Sequence, residues 1–508
     1  MPILASIPIL IILVLMIGFR WGAARAGAAG YLAAFIVAVA FFGAGADVLA
    51  FAHTKAFVLS MDVLLIIWAA FLLYRVTDEA GAIKTIGRLL PSLTRDRGMQ
   101  ALLIGWVFAS FLQGAGGFGV PVAVTAPLLI GLGFPPLSAV IIPSIGHGWA
   151  VTFGSLGSSF NALLSATGLD AATLAPASAL YLGLACVLTG PMVAHAADGW
   201  NGVKRLLIPA LVIGVVMGTV QFAVAAGAGL WNLGAFAGGL AGLAVSIWVV
   251  QWGKAGQGVE RSERKPLLLA LSAYIILVAF TVIILLVAPF KDWLGQVSIQ
   301  IQFPETVTSL GFVSPAGTNR PIRIFTHAGA ILIYTSLASF FLYRHAGMYK
   351  AGSGKTILHA TIKGMMSSSL SIALMVAMAT IMQQSGMTEA LAQGLADAVG
   401  KAFPLIAPWI GAIGAFMTGS NTNSNVVFAG LQMRTAELLA YSIPAILAGQ
   451  TAGAAVASVA APTKVVVGAS TAGMAGKEGD VLRALVGYAA LLVMFISLLT
   501  GLASLLGF

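Results

Sequence analysis

Two clusters of glycine and polar residues in this 508-residue chain have the composition of an anion-binding site. The first, Gln113 to Pro121, contains four glycines and one proline. Because Gly and Pro cost a helix about 1 and about 3 kcal/mol, this stretch should interrupt a helix and expose backbone N–H groups to an anion. Tight helix packing is the alternative explanation for the glycines. The predicted binding residues are Gln113, Gly114, Gly116, Gly117 and Gly119.

The second cluster is a run of seven consecutive glycine and polar residues from Gly419 to Asn425. Polar groups at membrane depth are costly unless they bind something. Asn, Ser and Thr can hold a carboxylate, a hydroxyl or a cation. A loop outside the bilayer is the alternative. The predicted binding residues, with two from a later cluster, are Ser420, Asn421, Thr422, Asn423, Ser424, Asn425, Gln450 and Thr451.

Two titratable residues stand in apolar surroundings and could add charge to such a site. Lys464 lies far from the basic loops, so it is a candidate counter-charge for an anion, with snorkelling to the interface as the alternative. His147 could bind substrate or carry a coupling proton near neutral pH, or it could be a structural histidine with its hydrogen bonds satisfied.

The elements that position these residues must be membrane helices. The chain is 59% hydrophobic and 8% charged, with a mean hydropathy of +0.99, whereas a soluble domain has about 25% charged residues. The apolar runs lack the period-two alternation of a membrane barrel. At about 20 residues per span, we expect an all-α polytopic membrane protein with about 12–14 transmembrane helices, including broken or re-entrant helices.

The net charge of +10 comes from basic residues in short loops, which indicates membrane topology and no nucleic-acid partner. Arg20 and Arg25 follow the first apolar run, and no basic region precedes it. We therefore expect a retained first span with the N-terminus outside. Further basic clusters at 75–97, 204–205, 254–265, 344–363 and 477–483 fall on the same side. The lone Cys186 permits no intrachain disulfide.

An internal repeat organises the chain. Phe111-x-x-Gly114 and Phe416-x-x-Gly419 open two apolar regions that are broken by glycine, proline and polar residues. If the span count holds, the chain enters the two regions from opposite sides of the membrane. This predicts two inverted membrane repeats, residues 1–270 with a broken-helix motif at 111–166 and residues 271–508 with one at 416–470, and no soluble domain. The polar stretch 291–324 should be a surface loop or a short hairpin, and 388–402 a short amphipathic helix.

The sequence lacks the motifs expected of an enzyme. H-E-x-x-H and G-x-S-x-G are absent. Gly352 to Thr356 is similar to the end of a P-loop, but Tyr349 stands where the first glycine is needed. The G-x-G-x-x-G match from Gly114 to Gly119 lacks a soluble βαβ unit. We expect no enzyme, no cofactor and no metal site.

Two runs resemble a known family. Residues 114–133 (GAGGFGVPVAVTAPLLIGLG) and 419–432 (GSNTNSNVVFAGLQ) are similar to signatures of the lactate permease family of bacterial secondary transporters, as are Gly81 to Ile83 and Gly476 to Asp480. The resemblance covers most of the chain. It implies a proton-driven importer of lactate or glycolate in the bacterial plasma (inner) membrane.

The chain departs from the family pattern at charged positions. The family usually has Glu where this chain has Gln113, and Asp where it has Asn421; an amide cannot titrate. The family also places a lysine near Ser458, whereas here it is Lys464. If protons drive transport, the coupling candidates are His147 and Asp62. Alternatively, Na⁺ replaces the proton and binds Asn and Ser oxygens and unwound carbonyls.

These features together predict a secondary active transporter that imports a small 2-hydroxy monocarboxylate by H⁺ symport. Half-helix N-termini would hold the carboxylate, and Ser, Thr and Asn would bind the 2-hydroxyl group. Alternatives are a Na⁺-coupled or uncoupled carrier for a sulfonate or dicarboxylate, and a channel. The expected partners are the substrate, H⁺ or Na⁺, and the lipid bilayer. A monomer and a homodimer are both open, as are elevator and rocking motions.

Overall fold

The computed structural model describes residues 1–117, 119–252, 264–319 and 321–507. Most of the predicted basic loop at 254–265, including Lys254 and Arg261, lies outside these residues. In the first half of the chain the helices are α1 (Pro2–Ile17), α2 (Ala23–Phe41), α3 (Ala46–Glu79), α4 (Ala82–Leu89), α5 (Arg97–Gln100), α6 (Ala109–Ala115), α7 (Val120–Gly131), α8 (Pro136–His147), α9 (Gly154–Thr167), α10 (Ala171–Phe222), α11 (Gly234–Trp252) and α12 (Arg264–Leu286).

The second half continues with helices and one small region of strands. The helices are α13 (Ala288–Leu294), α14 (Ala328–His345), α15 (Ser353–Gln384), α16 (Met387–Val399), α17 (Phe403–Thr418), α18 (Asn421–Leu438), α19 (Ile443–Ala457), α20 (Pro462–Thr471) and α21 (Glu478–Leu506). The strands are β1 (Ser298–Ile299), β2 (Gln302–Phe303), β3 (Thr306–Val307), β4 (Val313–Ser314), β5 (Gly317–Thr318) and β6 (Ile322–Arg323). Short 3₁₀ segments at Leu90–Leu93, Gly148–Ala150, Trp231–Leu233, Gly400–Ala402 and Ser458–Ala460, and π-helical segments at Ala101–Phe108 and Ala223–Gly227, extend or join these helices.

The described residues include ten helices long and apolar enough to cross a membrane, or eleven if the bent pair Pro136–Ala150 and Gly154–Thr167 counts as one span. These ten are Ala23–Phe41, Ala46–Glu79, Arg97–Ala115, Ala171–Gly227, Trp231–Val250, Pro266–Leu286, Ser353–Gln384, Met387–Thr418, Ile443–Ala460 and Glu478–Leu506. The predicted class, an all-helical polytopic membrane protein with bent helices, is confirmed.

The difference from the predicted 12–14 spans has a geometric explanation. Ala171–Gly227 has 57 residues, which is about 85 Å of helix against about 30 Å of hydrocarbon. It is interrupted at Asp198 and Gly199, where the backbone leaves the helical region, so it is long enough for two spans. The shorter apolar helices Pro2–Ile17 and Val120–Gly131 add to the count.

The polar stretch at 291–324 forms a hairpin. Its strands pair in nested antiparallel fashion, β1 with β6, β2 with β5 and β3 with β4. Of the two structures predicted for this stretch, the hairpin is therefore the observed one. The predicted amphipathic helix at 388–402 corresponds to α16.

The two broken-helix motifs have the same order of elements. In the first, α6 ends at Ala115 and α7 begins at Val120, and α8 is separated from the regular part of α9 by a break at 151–157. In the second, α17 and α18 are separated at Gly419 and Ser420, and α19 and α20 at Ala461. Helix, break, helix, turn, helix, break and helix thus occur twice. The inverted relationship between the repeats stays a prediction.

Candidate functional site

The breaks of the two motifs border one polar cavity of about 350 Å³. Large fully buried side chains, among them Phe111 and Trp149, belong to the hydrophobic core in which the first motif lies. The lining residues come from both motifs and from the start of α2 and the middle of α15: Gly22, Ala23, Gln113, Gly119, Val151, Ser155, Ser158, Ser159, Ser367, Ser368, Ser371, Ile372, Thr418, Gly419, Ser420, Asn421, Thr422, Asn423, Thr463, Lys464 and Val467.

Each motif contains a glycine that packs against a hydroxyl of its own second break. Gly117 has a φ of 62°, and a Cβ there would lie 1.8 Å from Ser155 Oγ. Gly419 has a φ of 71°, and a Cβ there would lie 2.2 Å from Thr463 Oγ1. Both positions therefore require glycine for backbone conformation and for space. The shared pairing explains why both clusters contain glycine at the break.

The first motif also holds non-glycine residues in the left-handed region. Ser155 and Leu156 have φ values of 47° and 53°, followed by Gly157 at 79°. This conformation costs about 1–2 kcal/mol per non-glycine residue. Ser155 lines the cavity, and strain of this kind concentrates at functional sites.

Three helix N-termini border the cavity. α7 begins after Gly119, and α18 begins after Ser420, whose Oγ accepts a hydrogen bond from the Asn423 N–H at 3.2 Å. α20 begins at Pro462, so its first turn includes Thr463 and Lys464. Helix N-termini carry partial positive charge and favour anions.

Lys464 is the only charged side chain lining the cavity among the described residues. It is partly buried, and its Nζ donates a hydrogen bond to Ser458 Oγ at 3.0 Å. No carboxylate lies within salt-bridge distance of it in the part of the chain that the structure describes. A cation in the first turn of a helix is electrostatically unfavourable, so an anion in the cavity would relieve it. Lys464 follows Ser458 by six residues in sequence, and the hydrogen bond between them places its ammonium group beside the Ser458 hydroxyl.

Amide side chains link the two motifs through hydrogen bonds. Asn421 Nδ2 donates to Thr152 Oγ1 at 3.0 Å. Asn425 Nδ2 donates to Thr451 Oγ1 and to the Ser159 carbonyl, both at 2.9 Å. Neither Asn421 Oδ1 nor Asn423 Oδ1 has a protein partner among the described residues, and both residues are buried in the cavity wall. Two acceptors are therefore available for a hydroxyl or a cation.

Several predicted binding residues lie behind the cavity wall. Gln450 Nε2 donates to Ser424 Oγ at 3.1 Å, and Gln450 also pairs with Gln432. Thr451 contacts Thr152 and Asn425. These contacts join α18, α19 and the first motif, so they position the wall without lining it. The predicted residues outside the lining are Gly114, Gly116, Gly117, His147, Ser424, Asn425, Gln450 and Thr451.

His147 is one of these, and only one of its ring nitrogens has a partner. It is buried, and its Nδ1 hydrogen bonds with the Pro143 carbonyl on its own helix at 2.6 Å. Its Nε2 is buried without a hydrogen-bond partner among the described residues, so the histidine is not fully satisfied and its role stays a prediction. A Cβ at Gly114 would lie 2.5 Å from the Cα of Phe236, so Gly114 is closely packed. A Cβ at Gly116 would meet Tyr74 Cβ at 3.4 Å, which is an ordinary contact, so tight packing explains Gly114 but not Gly116.

Asp62 borders a different cavity. It accepts hydrogen bonds from His327 Nε2 and Asn161 Nδ2, both at 2.9 Å, and from Ser165. Sequence reasoning missed His327, because it precedes α14 in a loop and no motif marks it. Among the described residues, no group of three or more His, Cys, Asp or Glu side chains could hold a metal ion.

A polar cavity between broken helices, inside a bundle of apolar helices, is the arrangement of a multi-pass membrane transport protein. A family model described as L-lactate permease matches residues 2–507. The chain therefore belongs to the L-lactate permease family, and the resemblance seen in the two signature runs is confirmed.

Named relatives agree with this assignment. The chain is 28% identical to the glycolate permease GlcA of Escherichia coli, over 98% of this chain and 94% of that protein. It is 26% identical to the L-lactate permease of Salmonella typhimurium and 27% identical to that of Bacillus subtilis, each over 86% of this chain and 83% of the relative. Among solved structures, the YdaH transporter of Alcanivorax borkumensis is similar with a TM-score of 0.48 and 16% identity, covering 88% of this chain and 86% of that chain.

Proposed function

We propose that this protein is a secondary active transporter that imports a small 2-hydroxy monocarboxylate, such as lactate or glycolate, by proton symport. The observation that carries the proposal is the cavity at the two breaks, where Lys464 is the only charged lining residue among those described. The names of the relatives, glycolate permease and L-lactate permease, support this substrate class.

The substrate carboxylate would lie at Lys464 Nζ, close to the starts of α18 and α20. The 2-hydroxyl group would donate to Asn421 Oδ1 or Asn423 Oδ1, two buried acceptors of cavity-lining residues that have no protein partner among the described residues. Ser155, Ser159 and the α7 start would complete the wall from the first motif. A cavity of about 350 Å³ lies at the small end of the range for ligand pockets, about 300–1,000 Å³.

In this proposal the chain is made of two inverted repeats, residues 1–270 and 271–508, in the bacterial inner membrane. The basic loops face the cytoplasm and the N-terminus lies outside. Each repeat supplies one helix start, at α7 and at α18, to the same site. Movement of one bundle relative to the other would expose the cavity to the two sides in turn.

One observation favours Na⁺ as the coupling ion in place of the proton. The unpartnered oxygens of Asn421 and Asn423 could also bind Na⁺. Gln113 and Asn421 line the cavity and cannot titrate, so a coupling proton needs another residue.

Labelled L-lactate and glycolate uptake into proteoliposomes tests the proposal, with an inward proton gradient and an inward Na⁺ gradient imposed in turn. We expect saturable uptake that is stimulated by the proton gradient and accelerated by unlabelled substrate on the opposite side. Stimulation by Na⁺ alone would assign the coupling to that ion. If neither lactate nor glycolate is taken up under either gradient, but the protein binds a sulfonate or a dicarboxylate, the proposed substrate class is contradicted. Uptake without exchange acceleration would indicate a channel.

A further inference from the structure

A second cavity, of about 400 Å³, lies beside the hairpin. Its rim includes the exposed residues Asp170 and Arg323, whereas Asp62 and Asn161 are buried in its wall. The cavity therefore leads from an exposed surface to a buried carboxylate. The proposed substrate site does not use this carboxylate.

Asp62 is held by three donors from two other elements. Oδ1 accepts from His327 Nε2 at 2.9 Å, and Oδ2 accepts from Asn161 Nδ2 and from Ser165 Oγ. The side chains of Asp62 and His327 are only 12% and 11% exposed. A buried carboxylate in a membrane helix is costly and marks function in most cases.

The hydrogen bonds define where a proton can be added. His327 Nδ1 accepts a hydrogen bond from the Gly329 N–H at 3.2 Å, so the imidazole is neutral and its Nε2–H donates to Asp62. The site as a whole carries one negative charge. A proton added to Asp62 Oδ2 can donate to Ser165 Oγ, because a hydroxyl can reverse from donor to acceptor.

Helix α9 connects this carboxylate to the substrate cavity. Its residues Ser158 and Ser159 line the substrate cavity, and Ser159 Oγ hydrogen bonds with Thr422 Oγ1 at 2.9 Å. Asn161 and Ser165, on the same helix, hold Asp62. The two sites therefore share one helix.

The charges of the two sites are equal and opposite. Lys464 contributes one positive charge and Asp62 one negative charge, so the two empty sites together are neutral. When a carboxylate binds Lys464 and a proton binds Asp62, the sum is again zero. With only one ligand bound, the membrane interior holds one net charge, which a low-dielectric medium disfavours.

Other charged groups near Asp62 lie at the rim of its cavity or further along α3. Within the described residues, Asp170 and Arg323 at the rim have opposite charges and are exposed. Lys55 lies about two turns earlier on α3. Where α15 packs against this part of α3, Val63 and Ile67 contact an apolar cluster that includes Ile372 and Val376. The sequence of α9 contains no titratable side chain.

We propose that Asp62, positioned by His327, binds the coupling proton, and that proton and anion move together because Lys464 and Asp62 neutralise each other only when both sites are empty or both are filled. This inference rests on the proposed function. It explains how a family member with amides at Gln113 and Asn421 can still be driven by protons.

The test is Asp62→Asn in proteoliposomes, because Asn retains an acceptor for His327 and cannot titrate. Three quantities are measured: lactate counterflow at equal pH, uptake driven by a pH gradient, and the response of uptake to a K⁺-valinomycin potential. Asp47→Asn, an exposed carboxylate in the first turn of the same helix, is the control.

Without the Asp62 charge, the two sites together carry one net positive charge when empty and none when the substrate is bound. We therefore expect Asp62→Asn to retain counterflow, to lose stimulation by the pH gradient, and to become electrogenic, with uptake accelerated by an inside-positive potential. Wild type and Asp47→Asn should respond to the pH gradient and not to the potential. A purely structural role of Asp62 would not change the response to potential.

The inference is overturned if the pH gradient still drives uptake by Asp62→Asn and an internal pH dye reports the same proton flux as in the wild type. That result would leave the proposed transport function intact. If Asp62→Asn is folded but inactive, Asp62→Glu tests whether a carboxylate at this position binds the coupling proton. Restored proton-driven uptake with Glu supports the proton site, whereas loss of counterflow in both variants contradicts it. Failure of the wild type to transport lactate or glycolate would be a failure of the proposed function itself.

Discussion

Asn421 on α18 donates a hydrogen bond to Thr152 Oγ1 at 3.0 Å, across 269 residues of sequence. Thr152 also donates toward the Thr451 carbonyl at 3.2 Å. The break of the first motif is thus held against the start of α18 and against α19. The cavity wall exists only where the two halves of the chain meet, so its geometry depends on the tertiary fold.

Replacing Asn421 with Asp should make the KM for L-lactate more dependent on acid than it is in the wild type. An ionised carboxylate in the cavity would neutralise Lys464 and repel the substrate carboxylate, and protonation would remove both effects. We therefore expect the KM for L-lactate to be raised at neutral pH and to fall as the pH is lowered. The measurement is initial uptake rate against lactate concentration at several pH values.

Asn421→Ala serves as the control for Asn421→Asp, because it removes the hydrogen bond to Thr152 without adding a charge. It should weaken uptake with no new pH dependence. Identical pH profiles in Asn421→Asp and the wild type would contradict the position of Asn421 in the substrate site.

Gly419→Ala should destabilise the second break. Its φ of 71° disfavours any residue with a Cβ, and the new methyl group would lie 2.2 Å from Thr463 Oγ1. The backbone term alone is about 1–2 kcal/mol, and the clash adds to it. Thermal unfolding in detergent and lactate uptake should both show the loss.

Gly229→Ala is the matched control for Gly419→Ala, since Gly229 has a φ of 66° and open space around its missing Cβ. It should show the backbone cost without the clash. Partial recovery in the double variant Gly419→Ala, Thr463→Ala would identify the hydroxyl as the obstacle. Equal stability losses at Gly419 and Gly229, without recovery, would contradict the close packing.

The sequence located the breaks well, and the physical reason is local. Glycine and proline interrupt a helix wherever they cluster, whatever surrounds them, so the breaks after Gln113 and at Gly419 could be predicted. Lys464 could be singled out because a charge in an apolar run is costly anywhere.

Which residues face the cavity could not be predicted from the same information. In α18 and α19 most residues, including all the polar residues at the start of α18, are buried, so burial does not distinguish the cavity side from the side that packs on a neighbouring helix. Gln450 and Thr451 therefore looked equivalent to Asn421 in sequence. His327 contacts Asp62 from 265 residues away, and only the fold brings them together.

Asn425→Ala should lower stability more than it alters the chemistry of the cavity. Asn425 is fully buried, and its amide donates to Thr451 Oγ1 and the Ser159 carbonyl. Leaving buried polar partners unsatisfied costs about 1–3 kcal/mol each. The apparent melting temperature of the purified protein should fall, as followed by tryptophan fluorescence.

Ser504→Ala is the comparison for Asn425→Ala, because the hydrogen bond of the Ser504 hydroxyl among the described residues is to the Thr500 carbonyl on its own helix. It should leave the melting temperature nearly unchanged. A similar small effect for Asn425→Ala would mean that the hydrogen bonds between the two motifs contribute little to the fold.

The most direct measurement is equilibrium binding of labelled L-lactate to the purified protein, compared among wild type, Lys464→Met and Lys350→Met. Lys350 is exposed in the segment between α14 and α15 and serves as the matched control. A hydrogen bond to a charged group contributes about 1.5–3 kcal/mol, so Lys464→Met should weaken binding by about 10- to 100-fold, while Lys350→Met binds as the wild type does. Equal affinity in all three proteins would contradict the central claim that Lys464, at the meeting point of the two breaks, holds the substrate carboxylate.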